Sequence, residues 1–347
     1  LNPEEDAMLA LLNALYDGES GSVPPAGPQL AADIELFAMH AQIHQLLQRC
    51  PRVRESLPQD LRQRLKRESE TIGIQNLMLR HTERQILKQF DSNGIAAMPL
   101  KGTRFAERFF GALAARATSD IDLLVRPGQL EEAISLVRGM GFVLDKKVHN
   151  HAVLYRMITP EIPLMVELHW TMDKPHLSEL RDEPFWASSL PMAGMAGIRE
   201  LDAMSTFYFM LLHGIRHRMD SPRYLLDLAH MLFEHGEALD LTELVVRARR
   251  DRTYRRVQAA LSIVYGEFPS LHIRKPLPFD VIETYWTYEA IRDRRLGKRG
   301  LDDYRNRMFF RFGIFDTWKH QLLSQQPVYK RLGKRSSDMK AKEMPYG

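Results

Sequence analysis

Apolar residues recur every three or four positions over most of the chain, and that spacing predicts helices. Met8, Leu9, Leu11, Leu12 and Leu15 form one such stripe over residues 1–17. A turn-rich segment, GESGSVPPAGP at 18–28, separates it from a helix expected over 31–48, with Ile34, Phe37, Ala38, Ile43 and Leu47 on one side. The longest expected helix runs from Pro58 to Phe90. It begins heavily charged, then carries Ile72, Ile74, Leu77, Leu79 and Ile86 as an apolar side. It stops at Asp91-Ser92-Asn93-Gly94, a helix-ending sequence in which glycine can turn left-handed.

The period changes at Ile95. Residues 95–100 read as a strand, 103–110 as a helix, 120–126 as a strand and 128–139 as a helix. Strands follow at 142–146, 149–158 and 163–169. Strands mixed with helices, the last few antiparallel, predict an α+β fold: a small mixed sheet with helices on one face. The segment 171–200 reads as an irregular crossing docked by Phe185 and Trp186. Helices are then expected at 202–215, 222–235, twice within 239–265, at 281–295 and at 311–323, with a loop at 269–278. This divides the chain into an N-terminal helical region (1–94), a core (95–200), a C-terminal helical domain (201–332) and a polar tail (333–347).

Composition narrows the classes. With 347 residues, 44% apolar and 27% charged, the chain is that of an ordinary globular protein with a sizeable core. No run approaches eighteen apolar residues, so no membrane-spanning helix is expected. The acidic start, LNPEED, does not resemble a secretory signal. The single cysteine, Cys50, excludes an internal disulfide and a cysteine metal cluster. A cytoplasmic location is the expectation. The net charge of +4 is unevenly placed: residues 291–347 hold fifteen Lys/Arg and six Asp/Glu, a net of +9, which leaves −5 for residues 1–290. That basic segment fits a solvated surface, or contact with nucleic acid, an acidic partner or nucleotide phosphates. GxGxxG, GxxxxGK[ST] and GxSxG are all missing, so a dinucleotide fold, a P-loop and a hydrolase elbow are unsupported.

The candidate chemistry lies between Leu100 and Trp170. In Asp120-Ile121-Asp122 two carboxylates alternate with an apolar residue, so both point to one face of a strand. Glu167, between Val166 and Leu168, is a third acid in an apolar run. Three acids on neighbouring strands can hold two divalent cations for in-line phosphoryl or nucleotidyl transfer. Lys101-Gly102-Thr103 falls at a strand-to-helix turn, where free N–H groups and the helix dipole attract phosphate. Gly102 permits close approach, Lys101 supplies charge, and Thr103 can cap the helix or bind a phosphate oxygen. Arg80 and Arg84 are further candidates facing a nucleotide; His149 and His151 alternate at a strand start, where one could approach the site but an exposed strand end is the expectation. His40 and His44, four residues apart, read as packing or surface residues.

The succession strand, Lys101-Gly102-Thr103, helix, Arg116-x-x-Ser119-Asp120-Ile121-Asp122-Leu123-Leu124-Val125, then Val166-Glu167-Leu168-His169-Trp170 resembles the polymerase-β-type nucleotidyltransferases. More narrowly it is similar to the bacterial NTP_transf_5 nucleotidyltransferases, and less closely to AbiEii-type toxins. The similarity covers residues 30–235 or so. One departure is the phosphate turn, where most of the superfamily has Gly-Ser or Gly-Gly. The resemblance implies a metal-dependent enzyme that moves a nucleoside monophosphate from an NTP to an acceptor hydroxyl or phosphate and releases pyrophosphate. Asp120 and Asp122 would hold Mg2+ (or Mn2+) against the triphosphate. Glu167 would complete a second metal site and help deprotonate the acceptor. Lys101, Gly102, Thr103 and Ser119 would contact the nucleotide; Arg116 would neutralise phosphate charge or pair with Asp120. The acceptor stays open between RNA, including tRNA modified by a toxin, and a small molecule or peptide. A non-catalytic nucleotide-binding or protein-interaction module is the alternative. The resemblance returns in His213-Gly214-Ile215-Arg216-His217 and in Arg223 to Leu228. His213 and His217 share a helix face, and with Asp227 they could bind zinc, bridge two helices by hydrogen bonds, or contact base or ribose. The oligomeric state is left open.

Overall fold

The computed structural model describes residues 8, 10–16, 27–41, 43–148, 150–160, 162–298 and 300–325. Most of the expected 18–28 linker, the tail from 333, His149 and the side chains of His40 and His44 lie outside them.

At the centre is a five-stranded mixed sheet of β1 (Ala97–Pro99), β2 (Asp120–Val125), β3 (Val143–Lys147), β4 (His151–Thr159) and β5 (Ile162–His169). The strands lie in the order β1-β2-β5-β4-β3. β2 and β5 run parallel; the other neighbours are antiparallel. Alternation sorts the side chains by face. Ile121, Leu123, Val125, Val166, Leu168, Ala152 and Leu154 join one buried apolar cluster. Onto it pack Leu79, Ile86, Leu87 and Phe90 of the helix Gln59–Ser92, with Leu130, Ala133, Ile134 and Val137 of the helix Leu130–Gly139. Each such large apolar side chain contributes about 1.5–3 kcal/mol relative to exposure. The opposite face carries the acids.

Termination signals in the sequence place the site. The long helix ends where expected, with Gly94 at φ +71° and the Ile95 N–H donating back to the Phe90 carbonyl at 2.9 Å. β1 therefore begins directly under its C-terminus. The helix Thr103–Phe110 follows β1 after a three-residue turn. A second apolar cluster unites the N-terminal helices with Ala203–Arg216, Pro222–His235, Leu241–Arg250 and Tyr254–Glu267. Ser221 caps the second of these and Pro222 opens it.

Several expectations are corrected. The helix expected over 31–48 is two, Pro28–Ala41 and His44–Arg49. The one expected from Val281 begins only at Tyr288, because the Thr287 hydroxyl caps the Ala290 N–H. The last, expected over 311–323, begins only at Trp318 (Trp318–Gln325), and the helix before it, Leu301–Phe312, was not expected. The 269–278 loop holds a one-turn helix, Leu271–Arg274. Phe185 and Trp186 do dock the crossing segment, on a short helix, Glu183–Ser188. No helix among the described residues is long and apolar enough to cross a membrane.

Candidate active site

Asp122 and Glu167 stand directly opposite each other in the parallel register of β2 and β5. Asp120 is one pleat away on the same face. Touching both members of this pair is a residue to which the sequence assigned no role. His169 is two positions after Glu167, so it shares its face, and it is 4% exposed. Its Nε2 lies 3.1 Å from Asp122 Oδ1 and 3.3 Å from Glu167 Oε2. The alternation in Val166 to Trp170 was the signal that could have found it. His151, opposite His169 on β4, stacks beside it at 5.0 Å and approaches Glu167 Oε2 at 3.7 Å.

The other oxygen of Asp122 faces the turn. Lys101 Nζ sits 3.0 Å from Asp122 Oδ2 and 3.1 Å from Asp120 Oδ2, and the Ser119 hydroxyl donates to Asp120 Oδ1 at 3.1 Å. Burial would raise Asp122 and Glu167, but Lys101 and His169 outweigh it for Asp122, and His169 does so for Glu167; both stay below the ordinary carboxylate range. Burial would lower Lys101 and His169, but the carboxylates hold both above their usual values. Asp122 and Glu167 thus lie against Lys101 and His169, whose hydrogen bonds and charges favour the ionised carboxylates.

Gly102 shapes the floor. It has φ +78°, and a Cβ there would lie 3.3 Å from the Asp120 carbonyl oxygen. Above it opens a small cleft lined by Lys101, Gly102, Arg116, Ser119, Asp120, His213, Arg223 and Tyr224 among others. One wall is thus the acidic sheet face, the other the helices Ala203–Arg216 and Pro222–His235. Burial, reinforced by Lys101 and His217, holds His213 well below the usual histidine value, so it is neutral. The donor atoms of Asp122, Glu167 and His169 all lie within 4.8 Å of one another, a spacing that fits one divalent cation.

A family model described as "Uncharacterised nucleotidyltransferase" matches residues 33–265, more than half of the chain and all of this site. The chain belongs to this nucleotidyltransferase family. No curated protein matches it significantly. A nucleotidyltransferase takes an NTP as substrate, and enzymes of this kind generally use divalent metals.

Around the site, the nucleotidyltransferase uses several of the expected residues differently. The Thr103 hydroxyl donates to the buried carboxylate of Glu83 on the long helix, so it neither caps its own helix nor faces the cleft. Arg116 is not paired with Asp120. It is 6% exposed and forms a two-pronged pair with Asp227 at 2.6 and 2.7 Å. That pair ties the loop before β2 to the helix Pro222–His235, and it removes Asp227 from any set with the histidines. His213 and His217 do lie together, with ring centres 4.7 Å apart, beside Tyr224. Arg80 is held by Glu107 at 2.8 Å, and Arg84 is exposed on the same helix. Asn76, fully buried, accepts from the Thr118 N–H and donates to the Leu113 and Arg116 carbonyls. It fixes the loop that delivers Ser119 and Asp120.

Proposed function

We propose that this nucleotidyltransferase moves a nucleoside monophosphate from an NTP to an acceptor hydroxyl or phosphate, with release of pyrophosphate, at Asp120, Asp122 and Glu167. The observation that best supports this is the register of β2 and β5, which sets Asp122 against Glu167 with Asp120 on the same face. Asp122 and Glu167, with Asp120 beside them, are the residues that would hold Mg2+. When bound, the ion would neutralise phosphate oxygens and lower the pKa of the attacking group. Lys101, already positive and half-buried against the acids, draws the triphosphate to the turn. Gly102 keeps the turn open to phosphate, and Arg223 adds positive charge from the opposite wall. Glu167, ionised and partly exposed, accepts the proton of the acceptor hydroxyl. Thr103, tied to Glu83, positions the turn, and Arg116, tied to Asp227, holds the β2 loop while lining the same cleft.

The acceptor is RNA, tRNA included, or a small molecule or peptide. The reading as a non-catalytic binding module is disfavoured by the retention of all three carboxylates in register. The test is incubation with α-labelled and, separately, γ-labelled NTPs, with divalent cation, and with total RNA or a metabolite extract. The α label should move to the acceptor and the γ label should leave as pyrophosphate. Transfer of the γ label instead would make the enzyme a kinase and overturn the proposal.

A further inference from the structure

The two oxygens of Asp122 serve different neighbours. Oδ2 faces Lys101, whereas Oδ1 faces a nitrogen donor, His169 Nε2, with Glu167 Oε2 on its far side. An octahedral ion with bonds of about 2.1–2.2 Å sets neighbouring donor atoms about 3.0–3.1 Å apart. The separations of His169 Nε2 from the two carboxylate oxygens, 3.1 and 3.3 Å, are close to that value. An ion can thus seat between these atoms with little movement of backbone or ring. The His169 ring has no competing attachment. It is 4% exposed, its Nδ1 has no hydrogen-bond partner among the described residues, and its cross-strand neighbour His151 only stacks on it. Both of its polar contacts lead to the acids.

We propose that His169 Nε2 is a direct metal ligand, completing with Asp122 and Glu167 a nitrogen-and-oxygen site that favours a first-row transition ion, Mn2+, over Mg2+. Carboxylate and water suit Mg2+ and Mn2+ alike, but an imidazole nitrogen suits transition ions and is a poor ligand for Mg2+. This rests on Asp122 and Glu167 as an ion site, and does not depend on what the enzyme transfers.

The test is Mn2+ alone, added to the whole chain and followed by pulsed electron paramagnetic resonance. Wild type should show modulation from a directly bound 14N nucleus. His169→Gln should lose that modulation, bind Mn2+ about ten-fold more weakly, and bind Mg2+ nearly as before. His151→Gln should keep it. Bound Mn2+ without nitrogen coupling in wild type would overturn the proposal without any need for a folded variant. So would coupling that survives in His169→Gln, or no Mn2+ binding at all. Nitrogen-coupled Mn2+ without nucleotidyl transfer would refute the proposed reaction and leave the ligand standing; transfer without nitrogen coupling would do the reverse.

Discussion

Replacing Glu83 by glutamine should change how stability depends on pH. Glu83 is 3% exposed on the long helix, and it faces Thr103, Arg80, Arg104 and Glu107. Burial is the larger influence, against the Thr103 hydrogen bond and the Arg80 charge, and it lifts the carboxyl from 4.5 to about 7. Below pH 4.5 the group is protonated whether the chain is folded or not, and it contributes nothing to the pH dependence. Between 4.5 and 7 the unfolded chain ionises it freely while the fold retains the proton, so stability falls as pH rises. Above 7 the cost is complete: at about 1.4 kcal/mol per pKa unit, roughly 3 kcal/mol. Glutamine has no such cost and can still accept from Thr103. Urea unfolding of wild type and Glu83→Gln from pH 4.5 to 8.5 isolates this group, because other titrations cancel between the two. The difference should move by about 3 kcal/mol in favour of glutamine, with its midpoint between 4.5 and 7. A difference that stays flat over that range would refute the reasoning.

Two further substitutions probe the frame around the acids. Arg116→Met leaves Asp227 charged and buried, and should cost about 3–5 kcal/mol in chemical unfolding; a loss below about 1 kcal/mol would mean that the pair does not hold the two parts together. Gly102→Ala forces a side chain into a positive-φ turn against the Asp120 carbonyl and should cost about 1–3 kcal/mol. It should also weaken binding of an NTP measured calorimetrically, and unchanged affinity would argue that the turn does not approach phosphate.

The local parts of this architecture were legible in the sequence. Asp120-Ile121-Asp122 is a strand because the alternation is unambiguous, and Pro222–His235 has the expected bounds because Ser221 and Pro222 mark its start. What the sequence hid are pairings over distance. Arg116 and Asp227 are separated by 111 positions, and no local pattern distinguishes that partner from Asp120. Glu83 lies in a helix full of charge, where one more acid reads as solvent-facing, yet the fold buries it against Thr103. The adjacency of β2 and β5, which creates the site, depends on sheet order rather than on either strand's own residues. Val281 to Thr287 shows the converse failure: apolar spacing suggested helix, and a cap at Thr287 decided otherwise.

The central claim is that Asp120, Asp122 and Glu167 carry out nucleotidyl transfer. Asp122→Asn is the most direct perturbation, because it removes the charge shared by Lys101 and His169 while keeping the shape. Transfer from an α-labelled NTP should fall by at least about a thousand-fold, with pyrophosphate release falling in parallel and the melting transition still cooperative. Transfer by Asp122→Asn at a rate near that of wild type would contradict the account.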